Sequence, residues 1–120
     1  MAKASRFTNG LVVRDGRPNA AANSTTETKI SQIMLYSVTI NPASVASATS
    51  AEQTFTVTGL AVGDVILAVN KPTATAGVGI VNMRVSAADT LALTFMNSTA
   101  GAVDPASETY LIVAMRATAN

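Results

Sequence analysis

The sequence predicts an all-β protein, an antiparallel β-sandwich or barrel-like single domain carrying an extended N-terminal arm. Three observations carry that prediction. From Ile30 onward, short apolar or alternating runs recur every 10 to 15 residues or so, each bounded by Gly, Pro, Asn or Asp, as strands joined by turns are. β-Branched and turn residues return before any 3.6-residue period is sustained, so no helix of ordinary length can be drawn. The apolar quota is filled by small side chains: 22 Ala, 16 Thr and 10 Ser make up two fifths of the chain while aromatics are only 4%. Such a composition suits thin, closely stacked sheets rather than a core of large rings.

The chain divides at residue 29. Residues 1–29 hold Lys3, Arg6, Arg14, Arg17 and Lys29 against Asp15 and Glu27 and are net basic, whereas residues 30–120 are net acidic. The first part also strings together Asn9-Gly10, Asp15-Gly16, Arg17-Pro18-Asn19 and the polar run Ala20 to Thr28, which are turn and breaker signals without periodicity. It reads as a basic arm.

Six strands are expected in the body. Ile30 to Ile40 places Met34, Tyr36, Val38 and Ile40 on one face, and Asn41-Pro42 ends it because proline cannot donate to the ladder. Gln53 to Thr58 alternates, with Phe55 and Val57 inward and threonines outward. Gly59 to Asp64 reads as a turn, and Val65 to Val69 as a continuous apolar strand stopped by Asn70-Lys71-Pro72. Gly79 to Val85 puts Val81, Met83 and Val85 on one face, with Asn82 and Arg84 on the other. Thr90 to Met96 alternates through Leu91, Leu93 and Phe95, and Tyr110 to Met115 closes the body as a run apolar on both faces. The spacing without helical connectors argues for antiparallel pairing.

Composition removes several function classes. At 120 residues the chain is one domain with an arm, and a multidomain enzyme is excluded. A net charge of +1 is far too small to hold a phosphate backbone by counterion release, so nucleic acid is not an expected partner. Without Cys there is neither disulfide nor thiolate chemistry, and without His the commonest general base and metal ligand are both missing. No cofactor is expected. The opening residues lack the apolar h-region of a secretory signal, and even Leu60 to Val69 is too short and too interrupted for the roughly 20 residues of a bilayer span. Neither export nor membrane insertion is expected.

The residues that could carry chemistry have plainer explanations. Glycosidase chemistry needs two carboxylates in one cleft, but Asp64, Asp89 and Asp104 all sit in turns, where Asp bonds its own backbone. Serines are plentiful, yet no His is present to activate one, and the only Lys beyond the arm is Lys71, in a turn before Pro72. Gly77-Val78-Gly79 lacks the third glycine and the lysine of a phosphate loop and reads as a hairpin turn or a close backbone approach. Asn23-Ser24-Thr25 and Asn97-Ser98-Thr99 match the glycosylation pattern, which recurs by chance in a Ser/Thr-rich chain. An enzyme is not expected.

Self-association is the stronger expectation. A body of about 90 residues buries a modest share of its surface, and it has few rings and no disulfide to reinforce it. Val65 to Val69 and Tyr110 to Met115 are apolar on both faces, so in an antiparallel sheet their second face is also expected to be covered, either by a neighbouring subunit or by the protein's own loops or arm. Arg84, Tyr110, Ile112 and Arg116 are the candidate subunit-interface residues. Arg suits interface ion pairs, although Arg84 is read first as an outward strand residue and Arg116 as a solvated strand end. The arm is either a loose tail or a strap docking on an acidic partner.

The stretch Ser50-Ala51-Glu52-Gln53-Thr54-Phe55-Thr56-Val57-Thr58-Gly59-Leu60 with Val62-Gly63-Asp64, followed by Val69-Asn70-Lys71-Pro72, Gly77-Val78-Gly79-Ile80, Arg84-Val85-Ser86-Ala87-Ala88-Asp89-Thr90-Leu91 and Tyr110-Leu111-Ile112-Val113, resembles the capsid decoration, or cement, proteins and head-fibre bases of tailed bacteriophages. Ser5-Arg6-Phe7-Thr8-Asn9-Gly10 also looks like the start of several phage virion proteins. The resemblance implies a homotrimer on the outer surface of the virion head, assembled in the host cytoplasm, that binds the major capsid protein and stabilises the shell. Lys3, Arg6, Phe7, Arg14 and Arg17 are then the expected capsid contacts. The alternative is a short head-fibre or adhesin domain binding host glycans, for which the chain has no Trp and only Tyr36 and Tyr110.

Overall fold

A computed structural model describes residues 29–118, so the expected capsid contacts Lys3, Arg6, Phe7, Arg14 and Arg17 lie outside the described residues. The body is all-β. Its strands are β1 (Lys29–Ile40), β2 (Thr49–Thr56), β3 (Val65–Asn70), β4 (Val78–Ala87), β5 (Thr90–Asn97) and β6 (Glu108–Thr118). They form two antiparallel three-stranded sheets, ordered β1-β6-β3 and β2-β5-β4, which pack face to face as a β-sandwich.

Period-two patterning decides which side chains meet between the sheets. In the first sheet Met34, Tyr36, Val38 and Ile40 point inward, in register with Ala114, Ile112, Tyr110 and Glu108 of β6. Ile66 and Val69 of β3 complete that layer. In the second sheet Leu91, Leu93 and Phe95 of the central β5 are all fully buried, flanked by Phe55 on one side and Ile80, Met83 and Val85 on the other. The Phe55 and Phe95 rings meet edge to face, with centroids 6.4 Å apart and planes at 81°, the geometry that aligns a positive ring edge with a negative ring face.

Two strands depart from the sequence expectation for identifiable reasons. β2 begins at Thr49 rather than Gln53 because the backbone of Thr49 to Glu52 pairs with β5 although those side chains are exposed and give no burial pattern. It ends at Thr56 because Val57 turns its N–H to the carbonyl of Asp89 instead. In β4 the expected shared face of Val81, Met83 and Val85 is broken at its first member. A bulge between Ile80 and Asn82 inserts Val81 as an extra residue, so Ile80 takes the inward place and Val81 is left exposed.

Tyr110 and Ile112, expected at a subunit interface, are instead fully buried in the core of this single body. Their parity on β6 matches Ala114 and points between the sheets, so neither side chain is available to a neighbour. The Tyr110 hydroxyl has no hydrogen-bond partner, and burial, with the nearby Glu108 charge adding to it, pushes its pKa up to about 12. An unpartnered buried hydroxyl costs about 1 kcal/mol or more. Tyr110→Phe is therefore expected to leave the fold intact and to raise stability, read from the urea midpoint at constant slope, by on the order of 1 kcal/mol. A lowered midpoint would show that the hydroxyl holds a stabilising partner.

Candidate functional site: an uncovered apolar sheet face

The two sheets differ in what they show to the outside. On the second sheet the outward row is mostly polar, Ser50, Glu52 and Thr54 of β2, Thr94 of β5, and Asn82 and Arg84 of β4, with Met96 of β5 and the bulged Val81 of β4 as its exposed apolar members. Arg84 and Glu52 reach toward each other across the central strand and pair bidentately, Nε to Oε2 and Nη2 to Oε1, both at 2.8 Å. Ala92 beneath that bridge is fully buried, which shows how completely the pair roofs the middle of the sheet. The Arg84 guanidinium holds the Glu52 carboxyl below its ordinary value, chiefly through the hydrogen bond.

The first sheet is the opposite. Its outward residues are Ile33 and Leu35 of β1, Leu111, Val113 and Met115 of β6, and Val65, Leu67 and Ala68 of β3. Leu35 is 67% exposed and Leu67 50%, and Ile33, Val65 and Leu111 are exposed as well. Continuing along the strands, the outward positions are Ser37, Thr39, Thr109 and Asn70, so this face carries no charged side chain among the described residues. Three strands spaced about 4.8 Å and some six residues of about 3.3 Å rise give the apolar part roughly 300 Å² in plan. That equals the largest exposed apolar patch on a typical single-chain protein, a patch that is often functional. The other exposed apolar side chains, Val62, Val81 and Met96, are not part of this face.

The expectation that β3 and β6 need cover on their second face thus acquires a location. β6 is a central strand, yet its outward Leu111 is exposed and Val113 and Met115 are only half-buried. The local sequence explains the exposure. β3 carries a bulge at Leu67, between Ile66 and Ala68, so that two consecutive residues, Leu67 and Ala68, sit on the outward side before Val69 turns back to the core.

Arg116, expected at an interface, pairs within its own chain. Its parity follows Ala114 inward, and at the end of the sandwich its Nε donates to Asp64 Oδ1 at 2.8 Å and its Nη2 to Asp64 Oδ2 at 2.7 Å and to the Gly59 carbonyl at 2.8 Å. Asp64 Oδ2 also accepts the Ala61 N–H at 2.9 Å, so the β2–β3 turn is tied to the last strand through one nearly buried carboxylate. Hydrogen bonding to Arg116 holds the Asp64 carboxyl below its ordinary value, against the opposing effect of burial. Gly59 is at φ +109, and a Cβ there would come within 3.2 Å of the Tyr36 ring, so the turn closes onto the ring only because the side chain is absent. Arg84 likewise pairs within the chain, with Glu52, and neither arginine carries an unmet charge to a neighbouring subunit.

The remaining candidates for chemistry resolve into structure. Asp89, at φ +57 in the β4–β5 turn, accepts the Gly59 N–H on Oδ1 at 2.8 Å. The Lys71 ammonium donates to the Thr73 carbonyl and to Glu108 Oε2. Hydrogen bonding to Thr73 and then to Lys71 holds Glu108 below the usual carboxylate range. The Gly77 carbonyl receives both the N–H and the hydroxyl of Ser98, a close backbone approach. Asn97, which opens a glycosylation-like triplet, is fully buried and uses its whole amide: Nδ2 donates to Val45 O and Gly101 O, and Oδ1 accepts from Thr99 N and Thr99 Oγ1. It is closed to a glycan. Sequence reasoning missed this role, though Asn97 continues the inward parity of Leu91, Leu93 and Phe95 and could have been read as buried on that signal.

No protein-family model, curated protein or solved structure matches the chain. Fold and surface together define a small β-sandwich with one polar, ion-paired outer face and one apolar face left open.

Proposed function

We propose that this is a structural protein of a virion, a decoration or cement subunit that assembles with copies of itself as a homotrimer and binds the major capsid protein on the outside of the head. The observation that carries the reading is the uncharged apolar face of the β1-β6-β3 sheet. A small body with an uncovered sheet face gains stability by being covered with protein, and an assembly component is covered in use. The resemblance of residues 50–116 to phage decoration proteins supports the same class. In this reading the task is performed by contact area: each bound oligomer adds interface that must be broken before the shell opens under internal pressure, and no bond is made or cut.

The alternative of a glycan-binding fibre domain has no observation in its favour. Tyr110 is buried and Tyr36 packs its ring against Gly59, so neither described tyrosine offers the open ring face on which sugars stack. The test is the rupture temperature of particles assembled with and without the protein. Decorated particles are expected to release their genome at a higher temperature. Equal rupture temperatures at full occupancy would overturn the cement reading.

A further inference from the structure

We infer that Leu11-Val12-Val13 adds to the free edge of β1 as a short antiparallel strand of the same chain, making the first sheet four-stranded. The inference goes beyond the assembly role and does not depend on it. It leaves Lys3, Arg6, Phe7 and Arg17 outside the added strand and sets Arg14 at its end.

Among the described residues, β1 is the one edge strand without a protecting device. β3 has six residues and a bulge, β4 has two bulges and Arg84, and β2 carries Glu52. β1 from Gln32 to Ile40 has no charge, no proline and an unbroken register, a bare edge about 30 Å long. Natural sheets cover or blunt such an edge. The packing beside it is unfinished as well. Ala114 and Ile112 of β6 are fully buried, yet Met34 and Tyr36, their partners on β1, are only half-buried. The inward row thus loses its cover at the β1 edge, and a strand placed there needs apolar side chains two residues apart facing inward.

The chain that precedes β1 supplies one such run. In residues 1–28 the large apolar side chains other than Met1 are Phe7, Leu11, Val12 and Val13. Asn9-Gly10 and Asp15-Gly16 bracket Leu11 to Arg14, as turn residues bracket the strands of the body. With Val13 beside Met34 and Leu11 beside Tyr36, both apolar side chains extend the inward row, while Val12 joins Leu35 on the outer face. Arg14 then stands at the strand end, so the new edge is both short and charged, as natural edges are. Residues 15–28 make the connection. These 14 residues span up to about 46 Å, against roughly 16 Å from Lys29 to the row of Met34, and Asp15-Gly16 and Arg17-Pro18-Asn19 provide the reversal. The tether also favours this occupant over a second copy, since it holds the run near the edge at an effective concentration on the order of millimolar.

The chain has no native cysteine, so one introduced pair reports on the contact. V12C/L35C, oxidised without reductant, is expected to close a disulfide within the chain, losing both free thiols at the mass of one chain. V12C/T54C, whose second cysteine lies outward on the other sheet, is expected to keep them. In the native chain, the amides of Ile33 to Ser37 that point away from β6 are expected to exchange with solvent about tenfold more slowly than open edge amides, at any protein concentration. L11D/V13D should remove that protection and leave the β5 amides unchanged, which shows that the body is still folded. The inference is overturned if V12C/L35C closes no faster than V12C/T54C, or if these edge amides exchange freely in the native chain. Disulfides between chains, or protection lost on dilution, would assign the edge to a neighbouring copy and overturn it as well. None of these measurements uses the rupture temperature of particles, so the cement reading stands or falls separately.

Discussion

Replacing Asn97 with leucine is expected to cost about 3 kcal/mol, a large share of the 5 to 15 kcal/mol that holds a typical domain together. Leucine has the same branching but bulkier methyls, so the loss combines missing hydrogen bonds with some overpacking. The bonds of the Asn97 amide disappear and the Thr99 N–H loses its acceptor, while the Val45 carbonyl keeps the Val103 N–H and the Gly101 carbonyl keeps the Thr99 hydroxyl. Asn97 is the joint between β5, the Thr99–Gly101 loop and the short Val45–Val103 bridge. The measurement is the urea midpoint at constant slope. Asn97→Asp adds a test of sign. Its second oxygen would face two carbonyls where Nδ2 donated, raising the folded-state pKa of the new acid. The variant should then be most stable at low pH and lose stability as pH rises through that raised value. Stability that is indifferent to the leucine change, or an aspartate variant that strengthens with rising pH, would show that the buried amide is not the joint described.

How far the sequence reveals this molecule depends on whether a residue's role is set by parity or by pairing. Met34, Tyr36, Val38 and Ile40, and likewise Leu91, Leu93 and Phe95, are legible because alternation with period two is what a half-buried strand requires. Val81 and Leu67 are not, because a bulge inserts a residue without changing the composition that advertises a strand. Tyr110 to Met115 defeats parity for another reason. Both of its faces are apolar, so the pattern cannot say that Tyr110 and Ile112 enter the core while Leu111, Val113 and Met115 form the open face. The second apolar face was thus visible in the sequence and its place in the fold was not. Arg116 and Asn97 reverse the lesson: each continues the inward parity of its strand, and polarity alone made them look solvent-facing.

The two outer faces of the sandwich differ in what they suit. An exposed ion pair adds little stability, so Arg84 and Glu52 matter less for holding the second sheet than for the surface they make, a polar roof unsuited to burial against an apolar neighbour. The first sheet has no such roof. The two faces are therefore suited to different surroundings, the first sheet to an apolar surface and the second to water or a polar one.

Asp64 is expected to set the acid limit of the fold. Its carboxylate accepts two bonds from Arg116 and one from Ala61, with its side chain nearly closed to water, and hydrogen bonding to Arg116 keeps its pKa below the ordinary carboxylate value. A carboxyl whose folded pKa is depressed binds fewer protons folded than unfolded. Its contribution is therefore complete above the unfolded value of about 4 and is lost as pH falls through the lower folded one. Asp64→Ala should cost about 2 kcal/mol at neutral pH, since it removes three charge-assisted bonds and leaves the Ala61 N–H without its acceptor. Below the folded pKa the penalty should shrink, because the native carboxyl is then protonated and has itself lost the Arg116 pairing. Glu52→Gln is the control: Glu52 is shifted in the same direction by Arg84, but that pair is open to solvent and screened, so its removal should barely alter the acid limb. Urea midpoints from pH 7 to pH 2 would separate the cases. An acid limb as steep in Asp64→Ala as in the native chain would show that the link from the Gly59–Asp64 turn to β6 does not govern acid stability.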